Sequence, residues 1–223
     1  MLNCRSAIRA KDSFPIRPGA LAVVASLGLA ATIYALRYRS NRLNIEAAKL
    51  AALVGALSGA RVAEVGAGRG AMAFRVAKRL GPTGLLIATD SDPARVRGLQ
   101  RKARKLTPKN ITVLPGTPEG SELPPGSVTA VYLRGAYHHL TKPGEMNRSL
   151  FAALRPGGVL AIIDFPPLWL LAPWTPKGIP ENRGGHGIRE DIVIDEVTRA
   201  GFRLLHPAIN WPGSMYCLLF QKP

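Results

Sequence analysis

The sequence predicts an α/β fold in which a mostly parallel sheet of seven strands carries helices on both faces. Short apolar runs alternate with amphipathic segments along most of the chain, as is typical of parallel strands joined by crossover helices. Near the end, two apolar runs are separated only by a turn containing Pro212-Gly213. So short a link permits an antiparallel pair but not a helical crossover. An uncharged run near the N-terminus adds a hydrophobic helix in front of this domain.

The strands are predicted as seven short apolar runs. In chain order they are Arg61–Val65, Gly84–Thr89, Ile111–Leu114, Val128–Leu133, Val159–Ile163, Phe202–His206 and Tyr216–Gln221. Apolar residues at helical spacing predict intervening helices at Arg69–Leu80, Pro93–Leu106, Pro143–Leu154 and Glu190–Ala200. Before the first strand, Ile45–Leu57 follows a polar break at Ser40-Asn41 and ends at Gly59, which predicts a separate lead-in helix.

The charge balance indicates an anionic partner. The chain of 223 residues has 30 Lys and Arg against 14 Asp and Glu, a net charge of +16. Residues 1–50 hold eight basic and two acidic residues, so much of the excess flanks the N-terminal apolar run. This distribution favours an acidic lipid surface over a nucleic-acid groove, and no nucleic-acid partner is expected. Cys4 and Cys217 lie at opposite ends without metal-ligand spacing, and no metal site is predicted.

The N-terminal run at residues 19–36 has eighteen residues without a charge, between Arg17 and Arg37. A helix that crosses a membrane needs about 20 residues, with a range of about 17–25. A cleaved signal peptide, a targeting segment and a buried helix are the alternatives, and the basic cluster directly after the run disfavours cleavage. We therefore predict a basic, single-pass membrane anchor at residues 1–40 and a folded domain at residues 41–223.

The strongest local motif is the glycine-rich segment between Val62 and Gly70, at a strand-to-helix turn. Glycines at 66, 68 and 70 remove the Cβ atoms that would block a ligand, and the following helix offers free N–H groups. Asp90 ends the next strand about 20 residues on, where a carboxylate can accept hydrogen bonds from both ribose hydroxyls. NAD and S-adenosylmethionine both satisfy this pattern, so the motif alone leaves the cofactor open.

Five segments together resemble class I S-adenosylmethionine-dependent methyltransferases, in particular the ubiquinone/menaquinone-biosynthesis-like (type 11) group. The segments are Glu64–Gly70 with its acid before the first glycine, Ala88-Thr-Asp90, Tyr137-His-His-Leu140, Leu154–Leu160 and Ala200-Gly-Phe202. The resemblance covers residues 41–223. It implies a Rossmann-like sheet, S-adenosylmethionine as cofactor, and methyl transfer as the reaction.

The resemblance also implies the residues that contact the cofactor. They are Glu64, Gly66, Ala67, Gly68, Gly70, Asp90, Ser91, Thr117, Pro118 and Arg134. Thr117 stands where the family usually has an acid at the adenine amino group, and Thr129 replaces an acid before the fourth strand. A threonine hydroxyl still accepts a hydrogen bond, so Thr117 is a weaker substitute. Arg134 either reaches the cofactor carboxylate or faces solvent.

Three residues are the catalytic candidates. His138 and His139 follow the fourth strand at the ligand edge of the sheet, and an imidazole titrates near neutrality, so either one is suited to accept a proton. Asp164 ends the fifth strand on the same edge. The structural alternatives are that the histidines shape their loop and that Asp164 caps the backbone. His186, in a later insertion, either closes over substrate or is a turn residue without a role.

The function predicted from these residues is methylation of a small, lipophilic acceptor at a membrane. The insertion from Phe165 to Gly187 is apolar and rich in proline, which predicts a lid or a membrane-dipping platform, with loop packing as the alternative. Because S-adenosylmethionine is made in the cytoplasm, we expect the domain to face it. An RNA or protein methyltransferase and a silent cofactor-binding scaffold are the competing functions. The sequence makes no prediction of oligomeric state.

Overall fold

The computed structural model describes residues 18–56, 58–168, 170, 173, 177–180, 183 and 186–223, without the side chains of residues 18–28 and 207–210. The chain divides into two compact units, Met1–Asn41 and Arg42–Pro223. The helices of the described residues are α1 Pro18–Leu53, α2 Ala73–Leu80, α3 Pro93–Ala103, α4 Pro143–Ala153 and α5 Glu190–Thr198. The strands are β1 Arg61–Val65, β2 Leu85–Asp90, β3 Ile111–Pro115, β4 Val128–Arg134, β5 Leu154–Asp164, β6 Arg203–Trp211 and β7 Met215–Gln221.

The strands form a seven-stranded sheet in the order β3-β2-β1-β4-β5-β7-β6. The first five strands in this order pair in parallel, and β7 is antiparallel to both β5 and β6. The predicted Rossmann-like sheet with an antiparallel C-terminal strand is therefore confirmed. Since β1 pairs with β2 on one side and β4 on the other, the strand order reverses at β1, where ligands bind in open α/β sheets.

The sheet is covered by apolar residues on both faces. Successive residues of one strand belong to different clusters: Val62 packs into one core and Ala63 into the other, and the same holds for Ala161 and Leu160. Side chains alternate between the faces of a strand, so a strand buried on both sides needs a continuous apolar run. This requirement explains why the central strands could be predicted from the sequence.

The helix α1 differs from the prediction, because it runs without interruption through Ser40-Asn41. Polar residues inside a helix cost only a few tenths of a kcal/mol each relative to good helix formers, too little to break the backbone hydrogen bonding. The helix also ends before Gly59. Gly55 has φ +60, and the amide of Ala56 donates to the carbonyl of Ala51 at 2.8 Å, which is a Schellman ending.

Among the residues that the structure describes, no helix is both long enough and apolar enough to cross a membrane. This finding gives the predicted anchor at residues 19–36 no support. Residues 1–17 of the predicted basic segment lie outside the described residues.

Candidate functional site

A cavity of about 630 Å³ lies at the carboxyl ends of the parallel strands. Its walls include the residues that follow or end four strands: Gly66 after β1, Asp90 of β2, Gly116 after β3 and Arg134 of β4. Pockets of about 300–1,000 Å³ are typical for small molecules and cofactors. The position and size therefore make this cavity the candidate cofactor site.

The loop between β1 and α2 forms one wall of the cavity. The predicted helix from Arg69 begins only at Ala73, because residues 66–72 make the turn that ties this loop to β2. The amides of Gly66 and Ala67 both donate to the carbonyl of Thr89 at 2.9 Å. Gly66 has φ +75, and a Cβ there would lie 2.6 Å from the Cβ of Ala136. At Gly68 a Cβ would meet no heavy atom within 4 Å, so the backbone there is open to a ligand.

Gly70 has a packing role and is not among the residues that line the cavity, and its predicted contact with the cofactor stays a prediction. It has φ +80, and a Cβ at this position would lie 2.5 Å from the Phe74 ring and 2.6 Å from Leu99 Cδ2. The missing side chain thus lets α2 and α3 pack closely at this turn, as the third glycine does in dinucleotide folds.

Asp90 presents its carboxylate at the end of β2 and is 4% exposed. Its Oδ2 accepts a hydrogen bond from the amide of Gly68 at 2.7 Å, and its Oδ1 accepts one from the amide of Asp92 at 3.0 Å. These contacts fix the carboxylate at the cavity wall, where a ribose can approach. Arg95, in the first turn of α3, also lines the cavity, with Nη1 3.8 Å from Asp90 Oδ2. Arg95 was not predicted at this site, although its position one helical turn after Asp92 places it near the end of β2.

Glu64 is a buried acid in the cavity wall. Its Oε2 accepts a hydrogen bond from the Tyr132 hydroxyl at 3.0 Å. Burial raises the pKa of Glu64 to about 8, and the Tyr132 hydrogen bond and the charge of Arg134 oppose that rise. Near neutral pH this carboxyl group is therefore largely protonated, and a nearby cation favours its ionised form.

Arg134 lines the cavity, but its guanidinium is engaged by Glu46, an outcome that neither predicted alternative included. Arg134 Nε lies 2.6 Å from Glu46 Oε2, which also accepts the indole N–H of Trp211 at 3.1 Å. Arg42 Nε lies 3.3 Å from Glu46 Oε1. Glu46 is fully buried on the face of α1 that carries Leu43, Ala47 and Leu50. A charged residue such as Glu46 on an apolar helix face is buried only with a partner, so its position in the sequence indicated a partner from another part of the fold.

The two threonines that replace family acids have different surroundings. Thr117 lines the cavity, and its hydroxyl accepts the amide of Gly120 at 2.9 Å, which holds the loop after β3. Thr129 does not line the cavity. Its hydroxyl donates to the carbonyl of Arg61 at 3.0 Å and joins β4 to β1. Thr117 is therefore the one of the two positioned to meet a ligand.

Every predicted cofactor residue except Gly70 lines this cavity. Their role in binding stays a prediction. Several lining residues were not predicted; they include Arg69, Met72, Arg95, Leu140, Thr141 and Met146.

His138 and Asp164 form a buried pair behind the cavity. Asp164 is fully buried and accepts hydrogen bonds from His138 Nδ1 at 2.8 Å, from the His138 amide at 3.1 Å and from the Phe165 amide at 3.0 Å. A carboxylate can only accept, so Nδ1 carries the hydrogen of this bond and Nε2 is the ring nitrogen that Asp164 leaves free. Neither residue is among those that line the cavity. Asp164 orients His138 and caps the backbone at residues 138 and 165, and a catalytic role of either residue stays a prediction.

His139 is the predicted catalytic residue that does line the cavity. Its ring centroid lies 4.0 Å from that of His138 and 5.3 Å from that of His186. Partial desolvation of the ring, followed by the charges of these two imidazoles, lowers the pKa of His139 to about 4. Desolvation also lowers the pKa of His186. His139 is thus neutral at physiological pH and holds a free lone pair.

The described part of the insertion after β5 is tied down at its two ends. The amide of Leu168 donates to the carbonyl of His186 at 2.8 Å, and the amide of Ile188 donates to the carbonyl of Phe165 at 2.9 Å. Leu168 and Leu170 are 48% and 65% exposed. The other apolar residues of the predicted lid, Trp169, Leu171 and Trp174, lie outside the described residues.

Comparison with known proteins identifies the domain. Residues 62–158 match the family model described as a methyltransferase domain. Residues 62–158 therefore form a methyltransferase domain of the class I S-adenosylmethionine-dependent type. It is an enzyme domain, and its cofactor is S-adenosylmethionine.

Relatives of the methyltransferase domain include a ubiquinone/menaquinone biosynthesis C-methyltransferase UbiE of Pseudomonas putida, which is 28% identical over 114 residues. The match covers 51% of this chain and 44% of that relative, so the chain spans less than half of the relative's length. The fold is similar to a SAM-dependent methyltransferase from Aquifex aeolicus, with a TM-score of 0.68, 23% identity, and coverage of 82% and 93% of the two chains. It is also similar to the [4+2]-cyclase SpnF, with a TM-score of 0.64, 15% identity and 81% of each chain covered.

The residues around the cavity fit S-adenosylmethionine. The open backbone at Gly68 admits a ligand, and the fixed carboxylate of Asp90 provides the acceptor that ribose hydroxyls need. Glu64 supplies a buried acid whose ionised form a cationic ligand stabilises. The methyltransferase domain thus offers partners for the ribose and for the positive charge of the cofactor at one sheet edge.

Proposed function

We propose that this domain transfers a methyl group from S-adenosylmethionine to a small, lipophilic acceptor of the hydroxylated aromatic class. The Pseudomonas relatives, which are C-methyltransferases of ubiquinone and menaquinone biosynthesis, support this class. His139 carries the proposal, because it lines the cofactor cavity and lies against the His138–Asp164 pair. A neutral imidazole in the cavity wall is suited to take the proton that such an acceptor gives up.

The chain's own residues mainly align the reactants. S-adenosylmethionine supplies an electrophilic methyl group when it is bound, and the acceptor loses a proton as it gains the methyl. Alignment provides most of the acceleration in such a displacement. Asp90 orients the ribose, and His139 lines the cavity where it can accept the proton. Its pKa of about 4 keeps the ring unprotonated at pH 7 but makes it a weak base, so alignment remains the larger contribution. Leu133, Leu140 and Met146 line the same cavity and exclude water from the reacting atoms.

The apolar insertion supports a lipophilic acceptor. Leu168 and Leu170 expose large apolar side chains, and Leu168 pairs with His186, whose ring packs against His138 and His139. We propose that the insertion covers an acceptor that enters beside the two histidines. Burying one such side chain against a substrate contributes about 1.5–3 kcal/mol. Replacing Leu168 and Leu170 with Ser is then expected to raise KM for long-tailed acceptors more than for short-tailed ones, and an equal effect on both would contradict a lid.

The acceptor class is tested with the full-length protein, methyl-labelled S-adenosylmethionine and separate acceptor pools. Alkylated hydroquinones and phenols are expected to be labelled, with rates that rise with tail length. Transfer to RNA or protein would favour the competing methyltransferase function. Cofactor binding without transfer to any pool would favour a silent scaffold. This outcome is tested because SpnF, which has a similar fold, is a [4+2]-cyclase.

The proton acceptor is tested by replacing single histidines. His139→Ala is expected to lower turnover by about 10²–10⁴-fold, the usual contribution of general acid–base catalysis. Cofactor affinity should stay unchanged, because Asp90 and the glycine loop remain. His206, an exposed histidine on β6, provides the matched control, and His206→Ala should leave turnover unchanged. Equal turnover of His139→Ala and the wild type would reduce the mechanism to alignment alone.

We also propose that residues 1–40 hold the chain at a membrane, with the enzyme domain in the cytoplasm. The uncharged run at residues 19–36 and the basic residues on both sides of it support this localisation. The test is alkaline carbonate washing of membranes from cells that express the full chain. Retention in the pellet is expected, and recovery of most of the protein in the supernatant would refute an anchor.

A further inference from the structure

We infer that His138, His139 and His186 form a binding site for a divalent transition-metal ion of the zinc class. Each residue offers one ring nitrogen, and these nitrogens all lie within 4.8 Å of one another. The ring centroids of His138 and His186 are 4.7 Å apart. The sequence predicted no metal site, because His186 is far from the other two in the chain and gives no ligand spacing.

Unpartnered ring nitrogens support this site independently. His138 is 2% exposed, and its Nδ1 is taken by Asp164, yet its Nε2 is buried and has no hydrogen-bond partner among the described residues. Nδ1 of His186 is likewise buried, and the described part of the chain provides no hydrogen-bond partner for it. Buried polar atoms in native proteins are normally paired, so each exception needs an explanation. A metal ion would accept a lone pair from both nitrogens at once.

The ligand set determines the kind of ion. Neutral imidazoles suit zinc, cobalt, nickel and copper, whereas magnesium and calcium require oxygen ligands. Three histidines with an open fourth position are a known arrangement of catalytic zinc. Asp164 supplies the usual second partner of a metal-bound histidine, since it fixes His138 in the tautomer whose Nε2 is free.

The backbone holds His186 at this position. His186 pairs with Leu168 in an isolated antiparallel bridge. The next residue, Gly187, has φ +112, and a Cβ there would lie 2.6 Å from the carbonyl oxygen of Pro166 and 2.9 Å from that of Phe165. Only glycine fits this conformation and space. His139 and His186 are the more accessible members, so their rings can turn to bring the nitrogens to zinc-binding distances of about 2.0–2.1 Å.

The site is tested by titrating the full-length protein, without any histidine tag, with Co²⁺ and following the visible absorption. One equivalent of Co²⁺ is expected to bind with a tetrahedral or five-coordinate spectrum, and Zn²⁺ should displace it. His139→Ala and His186→Ala should each weaken binding at least about 10-fold, and Asp164→Asn should weaken it about 10- to 100-fold. His206→Ala is the matched control and should bind as the wild type does.

Two results would overturn the site. One is the absence of saturable binding at equimolar Co²⁺ or Zn²⁺. The other is binding that survives both His139→Ala and His186→Ala, which would assign the ion elsewhere. Because these histidines are accessible, their variants should keep the fold, and far-ultraviolet circular dichroism checks this. An ion bound at this site would occupy the lone pair with which His139 accepts a proton in the proposed function, so the two roles of His139 are alternatives. Metal binding is measured without cofactor or acceptor, so its outcome does not depend on which acceptor is methylated.

Discussion

Replacing Glu64 with Gln should remove a fall in the free energy of unfolding that the wild type shows as the pH rises. Burial raises the pKa of Glu64 from its ordinary 4.5 to about 8. The stability that the protonated group contributes is fully present below pH 4.5, declines as the pH rises and is lost above about pH 8. One unit of pKa difference corresponds to about 1.4 kcal/mol. Between pH 6 and pH 9 the wild type should therefore lose about 2–3 kcal/mol through this residue.

The assay is urea unfolding at pH 6, 7, 8 and 9 without cofactor. Glu64→Gln keeps an oxygen that can accept the Tyr132 hydroxyl, but it has no charge to desolvate. Its unfolding free energy should fall less with pH than that of the wild type, and it should exceed the wild-type value at pH 9. Glu145→Gln, an exposed glutamate in α4, is the matched control and should follow the wild type. Parallel pH profiles for Glu64→Gln and the wild type would refute the reasoning.

Three further predictions concern the cavity and its support. Asp90→Ala should weaken S-adenosylmethionine binding about 10- to 100-fold, because hydrogen bonds to a charged group contribute about 1.5–3 kcal/mol; calorimetry measures this, and an unchanged Kd would contradict it. Gly66→Ala should lower the unfolding free energy by more than about 1 kcal/mol, because a Cβ at φ +75 would clash with Ala136. Gly98→Ala should raise the unfolding free energy by about 0.5–1 kcal/mol, because Gly98 lies inside α3 with open space around it. Equal urea midpoints for these two variants would contradict the geometry. Glu46→Ala should cost about 3–5 kcal/mol by leaving Arg134 without its partner, and a loss below 1 kcal/mol would show that the pair contributes little.

Local patterns predicted the sheet and most of the cavity. A buried parallel strand needs an uninterrupted apolar run, and a tight turn at a ligand needs glycine. The positions of Val62–Gly70 and Asp90 at the sheet edge could therefore be predicted from the sequence alone. The same local reasoning did not predict the packing role of Gly70. A glycine that admits a ligand and a glycine that admits a neighbouring side chain look identical until Leu99 is placed beside it.

The parts that sequence reasoning missed depend on residues that are distant along the chain. Glu46 meets Arg134 and Trp211 only because α1, β4 and β6 come together in the fold. The histidine cluster depends on the insertion returning to the sheet at Leu168 and His186. The continuity of α1 was missed for another reason, because helix hydrogen bonding outweighed a weak local preference against Ser40-Asn41.

The position of β7 has a consequence for synthesis on the ribosome. Although β7 follows β6 in the chain, it lies between β5 and β6 in the sheet. Strands β1 to β5 can assemble as soon as they emerge, but the free edge of β5 stays unpaired until residues 215–221 have left the exit tunnel. An apolar strand edge is a template for pairing with another chain. Nascent chains on the same messenger RNA are therefore expected to be prone to pairing with one another through this edge during that interval. Truncated products that end before Met215 should keep the edge free and should be bound by chaperones.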